Sequence, residues 1–146
     1  MAKVKAVPEG FHTVTPYLGV EGAAKAIEFY QKAFEAKERY RLPMGDKLGH
    51  AEILIGDSIV MLSDLMMPGQ QRSNTMLCLY VEDCDMWIKR AIAAGAKQDR
   101  PVQDQFYGDR SGTVEDPFGI KWTIATHKED LSPAEIAERA KKLPPM

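Results

Sequence analysis

The chain has 146 residues, a length that fits one domain. Its 19 Lys and Arg residues nearly balance 21 Asp and Glu residues, and the net charge of −2 argues against binding to nucleic acid or to an anionic membrane, because both need a concentrated positive field. Hydrophobic residues make up 45% of the chain, which is enough for a packed core. No apolar run approaches the roughly 20 residues of a membrane span, and residues 1–5 lack an apolar signal core. We therefore expect a cytoplasmic protein of one domain.

The first half of the chain predicts one strand, one helix and then three strands. Apolar residues between Ala23 and Phe34 recur three and four residues apart, which is the spacing of an amphipathic helix. The predicted strands are, in order, 14–20, 36–42, 48–55 and 58–63. Pro43 is predicted to end the second of them, and the turn-rich residues 64–74 are predicted to link the two halves.

The second half repeats this order. Its predicted strands are 76–81, 97–103, 106–115 and 120–126, with a helix at about 84–94 that ends at Gly95. The pair Val20-Glu21 recurs as Val81-Glu82 at an offset of 61 residues, which indicates an internal duplication. Residues 132–142 predict a terminal helix in which Ser132 and Glu135 form a capping box.

Two tandem β-α-β-β-β units of this size resemble the vicinal oxygen chelate superfamily, which includes glyoxalase I, bleomycin-resistance proteins and extradiol dioxygenases. The resemblance covers about residues 12–128 and rests on an ordered set of motifs: AIEFY at 26–30, AGA at 94–96, QFYGDRSG at 105–112, EDPFG at 115–119, then Trp122 and His127. The 105–112 motif, taken with Trp122 and His127, resembles the PhnB-like branch.

The resemblance implies an α+β fold in which each unit has a curled mixed sheet around a cavity. Unit one would span about 12–66 and unit two about 74–127, followed by the C-terminal helix at about 132–142, all within a single domain of residues 1–146. The same resemblance implies a homodimer, because half-barrels of the superfamily often close across two chains.

Metal-dependent members of the superfamily place four ligands, usually His and Glu, on strands one, four, five and eight. Alignment through the shared motifs puts these positions at Thr15, Met61, Met76 and Thr123. Threonine hydroxyls are poor ligands, and methionine thioethers suit soft ions. We therefore predict no metal site at these positions and no cofactor, with a divalent metal held by other residues as the alternative.

Strand alternation places His50 and Glu52 on the same face of the strand 48–55, opposite Ala51 and Ile53, and puts Leu48 on the face of His50 as well. In the superfamily that face lines the cavity. One interpretation is a catalytic acid/base pair, in which the carboxylate orients the imidazole. The other is a hydrogen-bonded polar pair on a partly solvated sheet.

Candidate ligand-binding residues follow from the same face assignment and from the 105–112 motif. Within that motif, Tyr107 would stack on a ligand and Arg110 would pair with an anionic group. Alternatively the motif is a structural bulge that Gly108 and Gly112 permit, in which Asp109 pairs locally with Arg110. The full set of predicted ligand-binding residues is Thr15, Tyr17, Met61, Met76, Tyr80, Tyr107, Arg110 and Thr123.

Two functions remain open at this point. The first is a protein that binds a small molecule in the sheet-lined cavity without the superfamily's usual metal. The second is a lyase, isomerase or dioxygenase that acts through His50 and Glu52, with an atypical divalent metal as a variant. A methyltransferase is disfavoured, because the sequence has no glycine-rich loop of the kind that would hold S-adenosylmethionine.

Overall fold

A computed structural model describes residues 3–146. The chain divides into two compact units, with the boundary between Asn74 and Thr75. None of the helices in residues 3–146 is long and apolar enough to cross a membrane.

The first unit contains a four-stranded mixed sheet and one helix. Its elements are β1 (Tyr17–Val20), α1 (Ala23–Phe34), β2 (Lys37–Met44), β3 (Lys47–Ile55) and β4 (Ser58–Asp64). The strand order is β1-β4-β3-β2, with β1 parallel to β4 and the other neighbours antiparallel. The sheet is open, because β1 and β2 form two unjoined edges.

The second unit repeats the architecture and adds a terminal helix. Its elements are β5 (Met76–Tyr80), α2 (Cys84–Ala94), β6 (Lys97–Asp104), β7 (Asp109–Glu115), β8 (Lys121–His127) and α3 (Pro133–Lys141). The strand order β5-β8-β7-β6 matches that of the first unit, as the predicted duplication requires. The fold class is therefore α+β, with two tandem β-α-β-β-β units.

The core of each unit lies between its helix and one face of its sheet. In the first unit α1 buries one side, including Ile27 and Tyr30, and the sheet presents Leu18, Ile53 and Leu62, all at most 2% exposed. In the second unit α2 buries Ile88 and Ala91, and the sheet buries apolar side chains such as Trp122. Apolar burial of this kind contributes about 25 cal/mol per Å². We call the opposite face of each sheet, which points away from α1 in the first unit and from α2 in the second, the open face.

Several boundaries differ from the predicted ones. β1 begins at Tyr17 rather than residue 14, directly after Pro16. β2 continues through Pro43, where the strand was predicted to end. The prediction was wrong because β2 is an edge strand, on which the N–H that proline lacks is not needed to pair with a neighbouring strand. β7 begins at Asp109 rather than residue 106, because residues 105–108 form a turn in which Gly108 has φ of 100°.

The predicted face of Leu48 was also wrong. Alternation from His50 placed it on the open face, yet it is 6% exposed, like the buried Ala51 and Ile53. The pairing of β2 with β3 shifts register between Leu42 and Pro43. A bulge of this kind adds a residue and reverses the alternation beyond it.

The C-terminal helix α3 has the predicted capping box. The Ser132 hydroxyl accepts from the Glu135 backbone N–H at 3.1 Å, and the Glu135 carboxylate accepts from the Ser132 N–H at 3.3 Å. Arg139 donates to both oxygens of the Glu129 carboxylate and to the Phe106 carbonyl. These bonds attach α3 to the loops of the second unit.

Candidate functional site

A row of four side chains crosses the open face of the first sheet. The strand register places Tyr17 beside Met61, Met61 beside Glu52, and Glu52 beside Tyr40. Next to Tyr17, Met61 and Glu52 in the sequence, the side chains of Leu18, Leu62, Ala51 and Ile53 point the other way and are buried. The open face therefore collects side chains from all four strands of the unit.

A bulge in β2 adds a cation to this row. The register shifts between Glu38 and Tyr40, so that Arg39 is the extra residue of β2. Its guanidinium Nη1 lies 3.2 Å from Glu52 Oε1, and its Cζ lies 5.4 Å from the centre of the Phe11 ring. The bulge thus allows Arg39 and Tyr40, although adjacent in sequence, to reach the same face.

His50 lies at the centre of a hydrogen-bond chain on this face. Its Nδ1 is 2.9 Å from the Tyr17 hydroxyl, and its Nε2 is 3.0 Å from Glu52 Oε2. The rings of Tyr17 and Tyr40 flank the imidazole at centroid distances of 5.5 and 6.2 Å. We call Tyr17, Arg39, Tyr40, His50 and Glu52 the first-unit cluster.

The partners of Glu52 assign the proton on His50. An ionised carboxylate can only accept hydrogen bonds, and Glu52 also accepts one from Arg39. The histidine Nε2 must then carry a hydrogen to bond Glu52. In the neutral ring this leaves Nδ1 as a bare acceptor, which the Tyr17 hydroxyl satisfies. The arrangement can therefore take a hydrogen bond or a proton at Nδ1.

The second unit has a different polar cluster on its open face. The buried carboxylate of Asp109 accepts from the Tyr80 hydroxyl at 2.8 Å and contacts His127 Nδ1 at 2.8 Å, while His127 Nε2 lies 2.7 Å from Asp130. The hydrogen bond to Asp109 raises the pKa of Tyr80 to about 12. The hydrogen bonds to Asp109 and Asp130 also raise the pKa of His127, because they favour the protonated ring.

A shallow depression of about 420 Å³ lies beside this second cluster. It is lined by Tyr80, Val81, Glu82, Thr126 and His127, at the carboxyl ends of β5 and β8. The predicted residue Tyr80 therefore lines a concave surface, although an open one.

The four positions aligned with the superfamily's metal ligands carry a donor set that does not fit a hard divalent ion. In the first unit Thr15 precedes β1 and donates to the His12 carbonyl, while Met61 offers a thioether. In the second unit the Thr123 hydroxyl lies 2.8 Å from that of Thr113 and 3.3 Å from the Met76 sulfur. These groups lack the carboxylate and imidazole character that such ions need. Within residues 3–146, no three His, Cys, Asp or Glu side chains are grouped to share one ion.

The residues of the 105–112 motif do not converge on one point. Tyr107 lies in the turn before β7 and contacts Phe106 edge-to-face, with centroids 5.2 Å apart. Arg110 points to α2, where its Nε and Nη2 bond the two oxygens of Asp85 at 2.8 and 3.0 Å, and its Nη1 bonds Asp104 at 3.2 Å. The neighbouring Asp109 bonds Tyr80 and His127 instead, so the two charged residues serve opposite faces of β7.

Sequence reasoning missed three functional or structural residues. Arg39 and Tyr40 were overlooked because strict alternation puts only one of two adjacent residues on a face, and no sequence signal marks the bulge. Asp109 was read only as a local partner of Arg110, since its true partners are 29 and 18 residues away. A polar residue that follows a Tyr-Gly turn and begins a strand was the available signal.

Comparisons with known proteins agree with this architecture. Residues 10–124 match the sequence model of the Glyoxalase/Bleomycin resistance protein/Dioxygenase superfamily. An uncharacterised protein of Mycobacterium bovis is 40% identical over 134 residues, which cover 84% of this chain and 88% of the relative. Protein YjdN of Escherichia coli is 28% identical over 80% of this chain and 96% of its own length.

Solved structures show the same fold. TioX from Micromonospora sp. ML1 superimposes with a TM-score of 0.69 at 25% identity, covering 80% of this chain and 98% of that one. A PhnB protein from Bacillus cereus gives a TM-score of 0.60 at 16% identity, over 79% and 99% of the two chains, and this likeness concerns the fold alone. With the family match across most of its length, the chain belongs to the glyoxalase, bleomycin resistance protein and dioxygenase superfamily.

Proposed function

We propose that this protein binds a small planar molecule on the open face of the first sheet, without the superfamily's usual metal ion. The observation that carries the proposal is the chain from Tyr17 through His50 and Glu52 to Arg39, flanked by two tyrosine rings. Ligand sites combine aromatic surface with a few oriented polar groups. The first-unit cluster has this composition.

The exposure of the tyrosines supports the proposal. Tyr17 and Tyr40 are 47% and 49% exposed, so both rings keep free surface for a ligand. The side chains of His50 and Glu52 are less exposed, at 24% and 19%. A planar ligand would gain stacking energy from the tyrosines and orientation from the partly desolvated polar pair.

On the second unit, the open face of the sheet carries its own, separate proposed contacts. Met76 and Tyr80 are exposed at the two ends of β5, Thr123 lies on β8, and Tyr107 lies in the adjoining turn. Thr15 and Met61 extend the proposed surface on the first unit. We include Arg110 as a proposed contact only for a ligand that competes with Asp85 for the Arg110 guanidinium.

The test is ligand-observed saturation-transfer NMR with 2-methoxynaphthalene as a planar probe. Tyr40→Ala should weaken binding by about 1–2 kcal/mol, since it removes a stacking partner. Met67→Ala is the matched control, because Met67 is 70% exposed and lies outside the cluster. Equal binding by both variants and the unchanged protein, or no binding at all, would contradict the proposal.

A homodimer is part of the same proposal. Its support is superfamily membership, since half-barrels of the superfamily often close across two chains. Sedimentation equilibrium should give twice the chain mass of 16.3 kDa. A mass of one chain at micromolar concentration would contradict it.

An enzyme is the second candidate, favoured by the carboxylate–imidazole pair itself. The Glu52-oriented His50 could abstract a carbon-bound proton, as a general base does. Such a base exchanges that proton for deuterium when the solvent is D₂O, even where no product accumulates. Hydroxyacetone, which carries adjacent oxygens, is a suitable probe: exchange that is lost in Glu52→Gln would favour the enzyme, and absence of exchange would leave the binding function.

A further inference from the structure

We propose that the first-unit cluster selects a neutral planar molecule bearing an O–H donor, a phenol in chemical class, and that this hydroxyl replaces the Tyr17 hydroxyl on His50 Nδ1. The inference rests on the proposed function, because it names the kind of ligand that the same face takes. It assigns Tyr17 an unexpected role, as an internal group that occupies the acceptor until the ligand arrives.

The first step of the argument is the polarity of His50. Arg39 and His50 each take one oxygen of Glu52, at 3.2 and 3.0 Å. Both oxygens therefore face hydrogen-bond donors, and Nε2 is held as the donor side of the ring. The side left for a ligand, Nδ1, is an acceptor, so the complementary ligand group is a donor.

The second step is the charge of the site. Arg39 carries the positive charge of the cluster and Glu52 the negative charge, and the two are paired. Their charges cancel locally, and the guanidinium also packs over the Phe11 ring. An anion or a cation would find no uncompensated opposite charge in this pair, whereas a neutral ligand needs none.

The third step concerns how readily the Tyr17 hydroxyl can be displaced from His50 Nδ1. Tyr17 is the first residue of β1, a four-residue strand at the edge of the sheet, and its ring is nearly half exposed. Displacing its hydroxyl from His50 requires a rotation of this exposed side chain. The acceptor it uncovers would be left unsatisfied, so a ligand hydroxyl that restores the bond has an advantage over any ligand that cannot.

The fourth step is the shape of the surface. The imidazole lies between the rings of Tyr17 and Tyr40, with which it makes angles of 44° and 48°. A planar ring whose hydroxyl reaches Nδ1 would lie over the imidazole edge and contact Tyr40. A flexible aliphatic alcohol could form the hydrogen bond but would gain less from this aromatic contact.

The experiment compares three probes that share one planar body: 2-naphthol, 2-methoxynaphthalene and 2-naphthoate. Affinities are measured by titration calorimetry at about pH 8, where an ordinary histidine is neutral. The unchanged protein should bind 2-naphthol roughly three- to tenfold more tightly than 2-methoxynaphthalene, the worth of one neutral hydrogen bond. It should bind 2-naphthoate no better than 2-methoxynaphthalene.

The decisive variant is Tyr17→Phe. Because it removes the competing internal hydroxyl and keeps most of the ring, it should tighten the binding of both 2-naphthol and 2-methoxynaphthalene by roughly two- to tenfold and keep the preference for 2-naphthol. His50→Phe should abolish the preference for 2-naphthol. Ser58→Ala, which removes an exposed hydroxyl bonded only locally to Asp57, is the matched control and should change neither affinity.

The outcomes separate this inference from the proposed function. Equal affinity for 2-naphthol and 2-methoxynaphthalene, or weaker 2-naphthol binding by Tyr17→Phe, overturns the inference while small-molecule binding stands. Tighter binding of 2-naphthoate also overturns it, in favour of an anionic ligand. If none of the three probes binds, the proposed function itself fails. Thermal melts of each variant establish that it is folded.

Discussion

The imidazole Nδ1 of His127, at the end of β8, lies 2.8 Å from a carboxylate oxygen of Asp109 at the start of β7, and Asp109 is only 6% exposed. The two residues are directly paired in the strand register. The imidazole is therefore held beside a buried carboxylate, while Asp130 contacts its other nitrogen.

This relationship predicts a pH dependence of stability. The hydrogen bond to Asp109, followed by that to Asp130, raises the pKa of His127 above its ordinary value of about 6.5. A raised folded-state pKa gives stability that is fully present below about pH 6.5 and is lost as the pH rises through the folded-state value. His127→Gln should therefore lower the melting temperature more at about pH 6 than at about pH 9. The control is His12→Gln, because His12 is an exposed histidine that precedes β1. If His127→Gln lowers the melting temperature equally at both pH values, His127 is not the source of the pH dependence.

Asp64 predicts a second effect, on the stability of the first unit. Its carboxylate accepts from the backbone N–H groups of Gly22, Ala23 and Leu48 at 2.8, 2.9 and 2.8 Å, and so ties the start of α1 to two strands. An amide cannot accept all three bonds, and Asp64→Asn should lower the free energy of unfolding by about 2–4 kcal/mol. Urea unfolding measures the loss.

Its counterpart in the second unit provides the comparison. The Thr126 hydroxyl accepts one bond, from the Cys84 N–H at 3.0 Å, and Thr126→Val should cost only about 1 kcal/mol. Burial opposes the charged form of Asp64, but the three N–H donors and Lys47 outweigh it and lower the pKa of Asp64. The stability it confers is present above about pH 4 and is lost as the pH falls through the lowered value, so the deficit of Asp64→Asn should shrink in acid. Equal deficits in the two variants would contradict this account.

Arg110 predicts a measurable change at Asp85. The two-pronged hydrogen bond from Arg110 lowers the pKa of Asp85 to about 2. Arg110→Gln should return the pKa of the Asp85 carboxyl to about 4, its ordinary value, as followed by NMR titration. The stability from this pair is present above about pH 4 and is lost as the pH falls towards 2. Lys121→Gln, which removes a separate ion pair with Asp99, is the control and should leave the pKa of Asp85 unchanged. If the pKa of Asp85 stays low in Arg110→Gln, the pKa has another cause.

The sequence predicted most of the element order because local patterns determine it. The spacing of apolar residues predicts α1, and the Ser132–Glu135 capping box predicts α3. The turn at Asp116 is stabilised locally, because its carboxylate accepts from the Phe118 and Ile120 N–H groups and from the Trp122 indole. These signals act within a few residues of one another.

The candidate site was only partly predictable. Strand alternation placed His50 and Glu52 on one face, and the structure brings them together with Tyr17, which was also predicted. Arg39 and Tyr40 escaped because a bulge breaks the alternation on which the reasoning depends. The partners of Asp64 and Asp109 lie up to 42 residues away, a distance at which only the folded register shows which groups meet.

The most direct test of the central claim is where a planar ligand binds. Titration of the ¹⁵N-labelled protein with 2-naphthol should shift the backbone amide resonances of Tyr17, Tyr40 and His50 together, with one saturable affinity. The resonances of α3, which lies in the second unit, serve as the internal reference. Shifts confined to the second unit, or no saturable shift in the first, would contradict a binding site built on the Tyr17–His50–Glu52 chain.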